Sequence, residues 1–303
     1  MITAQESITA KLCSFARAYH STMGQEKIFD DYLAYDIIGR EEYARLDGLL
    51  REAFSALPTK PRYGFENVWL FEALDRCFTP VTLPRLAFAE EALENFAKAH
   101  GRVQYVICGA GMDTFAYRNA NPAITVFELD LPKTQAYKQE RLKELAWKSA
   151  GKIHFVPVDF AKDELGERLM AAGFSMKTPT FFSLLGVAYY LSYPVLSHFL
   201  GEIGALATAG DQFVFDFPDE TTFSKRAPER VRELAAITES LGEPMQPGCT
   251  LDEIWRALHE AGFAVSEHEP PSGVQQRFFG HGTGQRQAFE NIHFILAEKQ
   301  PMN

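Results

Sequence analysis

The sequence predicts an α/β protein: a doubly wound, mostly parallel seven-stranded sheet carrying an N-terminal helical cap and a helical insertion. Three observations predict it. From residue 102 onward, short and nearly continuous apolar runs alternate with helical patterns, as expected of parallel strands covered on both faces. Before residue 102 the apolar spacing is helical throughout. A glycine-rich turn follows the first apolar run, where the first β-α unit of such a sheet carries one.

Helical spacing covers residues 8–20, 28–38, 41–54 and 83–100. The predicted strands are 103–108, 124–129, 153–158, 180–185, 212–217, 263–268 and 291–298. Pro132 suits a first helical turn, and Gly151 reads as that helix's C-terminal stop. Thr250-Leu-Asp-Glu253 reads as a capping box opening a helix that Gly262 closes. Residues 218–250 read as a helical insertion. The expected organisation is a cap over 1–101, packed on a core over 102–303 that carries the insertion. Strands alternating with helices imply right-handed β-α-β units.

Composition limits the function. The chain has 303 residues, 46% hydrophobic and 23% charged, which is ample for a core and excludes wholesale disorder. A formal net charge of −10 and a pI near 5.4 argue against nucleic acid as a partner. Cys13, Cys77, Cys108 and Cys249 form no C-x-x-C pair, which argues against a disulfide framework or zinc site and for a reducing compartment. Met1-Ile-Thr-Ala-Gln-Glu6 lacks the basic start and apolar run of a signal peptide, so a cytoplasmic location is expected. Thr178–Gly201 carries no formal charge, but Pro179, Pro194, three serines and His198 interrupt it. It reads as strand, turn and amphipathic helix rather than a membrane span.

The sharpest motif is Gly109-Ala110-Gly111-Met-Asp113-Thr114. Gly-x-Gly after a strand lets the backbone approach a nucleotide closely. Asp130, about 20 residues beyond, is placed to accept from ribose hydroxyls. A dinucleotide turn opens its helix with a third small residue, whereas here Thr114 follows the acid Asp113. A carboxylate repels a pyrophosphate and tolerates a sulfonium, which favours S-adenosyl-L-methionine over NAD. Asp159-Phe160 supports two readings: an acid holding an adenine amino group beside an aromatic ring, or a helix N-cap.

The chain resembles the leucine carboxyl methyltransferase-like family of S-adenosylmethionine-dependent O-methyltransferases, which includes bacterial polyketide O-methyltransferases. The likeness runs through Phe29-Asp-Asp-Tyr-Leu-Ala34, Arg85, the Gly109–Thr114 turn with Tyr117-Arg118, Glu128-Leu-Asp-Leu-Pro132, Phe155–Asp159 and Gly186-Val-Ala-Tyr-Tyr-Leu191. It implies a Rossmann-like methyltransferase sheet and a small-molecule acceptor. By the resemblance, Gly109 and Gly111, with Ala110 between them, line the methionine part of the cofactor. Asp130 binds its ribose, Asp159 and Phe160 contact adenine, and Arg85 reaches its carboxylate. Lys11 aligns with a basic residue near the cofactor. One departure stands out: Leu185 occupies a cofactor-contacting position where the family often has Glu. It leaves a non-catalytic S-adenosylmethionine-binding protein as the rival reading.

Methyl transfer from a sulfonium is an in-line displacement, so alignment of acceptor, methyl and sulfur is the main task. A carboxylate acceptor is already ionised at neutral pH, whereas a phenol benefits from a base. His198, Tyr189, Tyr190, Tyr193 and His20 are the residues to examine, and no catalytic residue is assigned. No G-x-S-x-G elbow, H-E-x-x-H helix or Walker loop occurs. Gly280-His-Gly-Thr-Gly284 reads as a flexible loop ahead of a phosphate loop, because no strand feeds it.

Overall fold

The computed structural model describes residues 7–23, 27–55, 66–160, 162–280 and 286–301. Among the described residues five helices lead: α1 (Ile8–Met23), α2 (Ala34–Ile38), α3 (Arg40–Ser55), α4 (Glu66–Cys77) and α5 (Thr79–His100). Strand and helix then alternate through β1 (Val103–Cys108), α6 (Phe115–Arg118), β2 (Ile124–Asp130), α7 (Pro132–Leu145), β3 (Ile153–Pro157) and α8 (Leu165–Ala171). They continue through β4 (Thr180–Leu184), α9 (Tyr193–Leu206), β5 (Gln212–Pro218), α10 (Glu229–Ser240), α11 (Leu251–Glu260), β6 (Phe263–Glu269) and β7 (Ile292–Lys299). The sheet order is β3-β2-β1-β4-β5-β7-β6. The first five strands are parallel, and β7 runs antiparallel between β5 and β6.

Alternation along each strand divides the core between the two faces. On β1, Val103, Tyr105 and Ile107 pack with the leading helices, while Val106 and Cys108 pack with α8, α9 and α11. The uncharged stretch after Thr178 becomes β4, a single 3₁₀ turn at Ala188–Tyr190 and α9. Among the described residues no helix is long and apolar enough to cross a membrane. The four cysteines are free.

Four local expectations are corrected. Residues 28–33 form turns instead of extending α2, because the buried Asp31 carboxylate is held by Arg17 (2.9 Å) and the Thr114 hydroxyl (2.6 Å). α5 starts at Thr79 rather than residue 83, since Pro80 sits in its first turn, where a missing N–H is harmless. α7 stops at left-handed Ala146 (φ 52°), not at Gly151. Gly151 is required for close approach instead: a Cβ there would lie 2.2 Å from the Ile124 carbonyl oxygen. The 218–250 insertion is helical only over a 3₁₀ turn at Glu220–Phe223 and α10. The capping box at Thr250 and Glu253 forms as read.

Candidate functional site

The chain leaves β1 through Gly109 (φ 80°) and Gly111 (φ 49°), left-handed conformations that glycine adopts without steric cost. The Gly109 and Ala110 amides both donate to the Leu129 carbonyl, at 2.8 and 2.9 Å. This stitches the turn to the end of β2. The Asp130 carboxylate completes it, accepting from the Gly111 amide (2.6 Å) and the Leu131 amide (2.7 Å). Burial pushes the Asp130 carboxyl up from its ordinary value, opposed by those two amide bonds. Each oxygen retains a second lone pair for a ligand hydroxyl.

A cavity of about 700 Å³ opens along the carboxyl ends of the parallel strands, where open α/β sheets bind ligands. Arg85, Gly109, Ala110, Gly111, Asp130, Asp159, Phe160 and Leu185 all line it, drawn together from α5 and the ends of four strands. Asp159 does not cap α8, whose N-cap is Glu164; its carboxylate meets Lys162 Nζ at 2.6 Å. Phe160 packs edge-on against Phe199, with centroids 5.2 Å apart.

Arg85 enters the cavity wall from α5 and is buried. Its Nη1 lies 3.4 Å from Asp216 Oδ2, its Nη2 contacts the Cys13 thiol at 3.4 Å, and its Nε has no partner. Sequence reasoning passed over Asp216. The available signal was a lone carboxylate inside the apolar run Phe213-Val-Phe-Asp-Phe217.

Several motif residues of the resemblance serve the scaffold. Arg17 joins Asp31 (2.9 Å) to the Met112 carbonyl (2.7 Å), tying α1 to the glycine turn. Arg118 stacks on Phe29, with its guanidinium carbon 4.8 Å from the ring centroid, and pairs with Glu90 and Asp31. Glu128 is buried against Lys138 Nζ at 2.6 Å, so it is not a ligand. Lys11 is engaged by Glu42 at 2.9 Å and lies over the Tyr137 ring.

The structure also sorts the candidate bases. Among the described residues no histidine lines the cavity. His198 is exposed on α9, 3.8 Å from Glu202, and the Tyr193 hydroxyl points to the Glu253 carbonyl at 3.4 Å. Tyr189 and Tyr190 do line the cavity, and burial holds both phenols above their ordinary range. Residues 281–284 of the Gly280–Gly284 motif lie outside the described residues.

His20 is buried in the last turn of α1, its Nε2 accepting from the Ile28 amide and its Nδ1 facing Arg286, both at 3.1 Å. Burial, reinforced by Arg286, lowers its pKa from 6.5 to about 4. The unfolded chain therefore binds a proton between those values that the folded protein refuses. Stability should fall with pH across that window, by about 3 kcal/mol from this group alone. Urea unfolding at pH 7 and pH 4.5 should show a smaller acid loss for His20→Gln than for wild type. Equal losses would refute the assignment.

A model of the leucine carboxyl methyltransferase family matches residues 10–203. The chain belongs to the leucine carboxyl methyltransferase family. A Bacillus subtilis protein described as a candidate S-adenosyl-L-methionine-dependent methyltransferase, YktD, is 34% identical, with 98% of this chain and 99% of that one aligned. A similarly described protein of Mycolicibacterium paratuberculosis is 30% identical over 73% of this chain and 70% of its own length. The fold is similar to a crystal structure of a DUF574 family protein from Streptomyces avermitilis, at TM-score 0.53 and 15% identity over 94% of this chain and 96% of that one. A Thermobifida fusca structure gives TM-score 0.51 at 16% identity, with 94% of each chain covered. This leucine carboxyl methyltransferase family member is an S-adenosyl-L-methionine-dependent methyltransferase with a Rossmann-like sheet.

Proposed function

We propose that the protein is an O-methyltransferase acting on a small, apolar carboxylic acid, a polyketide-type acid being the class that the resemblance suggests. The observation that carries this reading is the composition of the cavity wall. The wall combines the charged side chains of Asp130, Asp159 and Arg85 with the apolar side chains of Cys77, Phe78, Val81, Leu86 and Leu234. No imidazole stands among the described lining residues. The one carboxylate contributed from the 242–246 segment, Glu243, already accepts from the Ile8 and Thr9 amides at 2.8 and 3.1 Å and from the Ser7 and Thr9 hydroxyls. An acceptor that arrives ionised needs no base.

The residues present fit the cofactor. Asp130 would hold the ribose hydroxyls, Asp159 and Phe160 the adenine, and the partly unsatisfied guanidinium of Arg85 the carboxylate. Gly109, Ala110 and Gly111 would let the backbone approach the methionine moiety. Leu185 offers that end no charge, leaving Arg85 to recognise it. The bound cofactor supplies an electrophilic methyl group. The chain aligns the acceptor oxygen and excludes water. Residues 1–101 and 218–250 act as a cap, since α1 and the insertion both contribute cavity wall.

Transfer of labelled methyl from S-adenosyl-L-methionine to a panel of apolar carboxylic acids and phenols tests the reading. Acids should be methylated at a rate nearly independent of pH between 6 and 8. Methylation confined to phenols, rising with pH, would overturn the carboxylate assignment. Asp130→Ala should weaken cofactor binding by roughly 1–3 kcal/mol, the usual cost of losing a charged acceptor. An unchanged dissociation constant in a folded variant would show the ribose assignment to be wrong.

A further inference from the structure

Asp216 is a carboxylate in the middle of β5, fully buried and flanked in sequence by Phe215 and Phe217. A buried charge is expensive unless it is paired and hydrogen-bonded. Here it is both, and its partners come from two other places in the chain. Oδ1 accepts from the Gly186 amide at 2.6 Å. Oδ2 accepts from the Tyr189 hydroxyl at 2.7 Å and faces Arg85 Nη1 at 3.4 Å. One carboxylate thus joins β5, the segment after β4 and α5.

The guanidinium that it faces is held yet incompletely used. Gly186 has φ 71°, and a Cβ built there would lie 2.5–2.7 Å from the Arg85 guanidinium, so the absent side chain makes room for it. With Nη1 on Asp216 and Nη2 on a thiol, Nε remains without a partner. The other cations lining the cavity are held by shorter bonds: Arg17, whose Nε is likewise unpartnered, to Asp31 at 2.9 Å and the Met112 carbonyl at 2.7 Å, and Lys162 to Asp159 at 2.6 Å. Charge balance agrees. Asp216 offsets Arg85 before a ligand binds, and the methionine end of the cofactor, a zwitterion, adds no net charge.

We propose that Asp216 is the positioning residue that holds Arg85 toward the carboxylate of the cofactor's methionine moiety, so that affinity depends on the amino-acid end of the ligand. The inference rests on Arg85 receiving that carboxylate. Leu185 sharpens it, because position 185 contributes no charge of its own to recognition.

The test compares two probes by calorimetry: S-adenosylhomocysteine, and 5′-methylthioadenosine, which lacks the amino-acid end. Asp216→Asn should weaken S-adenosylhomocysteine binding tenfold or more and leave methylthioadenosine binding within twofold. Equal loss for both probes would mean that Asp216 only supports the fold, and no loss for either would also overturn the proposal. Arg85→Gln separates the premise from the inference. If it leaves the contrast between probes intact, the carboxylate assignment to Arg85 fails. If it removes the contrast while Asp216→Asn does not, only the positioning role fails. Should Asp216→Asn not fold, Tyr189→Phe removes one of the bonds orienting that carboxylate. It should weaken S-adenosylhomocysteine about threefold without affecting methylthioadenosine, and any other pattern refutes the role.

Discussion

Replacing Lys138 with methionine should remove about 3–5 kcal/mol of folding free energy, the usual consequence of leaving one member of a buried ion pair behind. Lys138 and Glu128 are each 1% exposed and meet at 2.6 Å, and Glu128 Oε1 has no partner at all. Burial already pushes the Glu128 carboxyl up, with Lys138 holding it down. Without the lysine the folded-state value rises further. The folded variant then takes up a proton that the unfolded chain binds only in the ordinary carboxylate range. Its deficit should shrink as pH falls from 8 to 5. Adding Glu128→Leu should restore stability to within about 1 kcal/mol of wild type, because well-packed apolar pairs often replace buried ion pairs at no loss. Urea unfolding of both variants decides the matter, and a deficit below 1 kcal/mol for Lys138→Met would refute the account.

Gly109→Ala should strike the cofactor site most directly. A left-handed φ of 80° costs a side-chain-bearing residue about 1–2 kcal/mol. The new methyl would also lie 2.4 Å from Val187 Cγ2, so the segment after β4 must shift. We expect a folded protein that binds S-adenosyl-L-methionine at least tenfold more weakly. Adding Val187→Ala should recover part of that loss, because the contact is the tip of a side chain, while leaving the backbone term. Titration calorimetry on the two variants tests this, and wild-type affinity in Gly109→Ala would place the cofactor away from the turn.

Much of this molecule is legible before folding. The strand runs land within two residues of the observed strands, since a strand covered on both faces must be apolar throughout and turn residues mark its ends. Seven of the eight candidate cofactor residues reach one cavity because a β-α-β topology carries the ends of the parallel strands to the same edge, and Arg85 joins them from α5. Other features were hidden for identifiable reasons. α4 was missed because Val68-Trp-Leu-Phe71 is apolar without a clear face. Residues 28–33 keep a helical pattern that Asp31 overrides by turning inward to Arg17 and Thr114. His198 resembled a base by position and proved to be a surface residue.

The sequence by itself determined the sheet, the glycine turn, the acid at the end of β2 and the affinity for a nucleoside with a sulfonium rather than a pyrophosphate. Those properties depend on alternation, turn conformation and local charge, which a short stretch of chain carries with it. Only the tertiary structure decided that Glu128 is scaffold rather than ligand, that no described histidine faces the cavity, and that Asp216 lies behind Arg85 from 131 positions away. A buried charge takes its role from the partner that packing brings to it, and packing is settled by the whole chain.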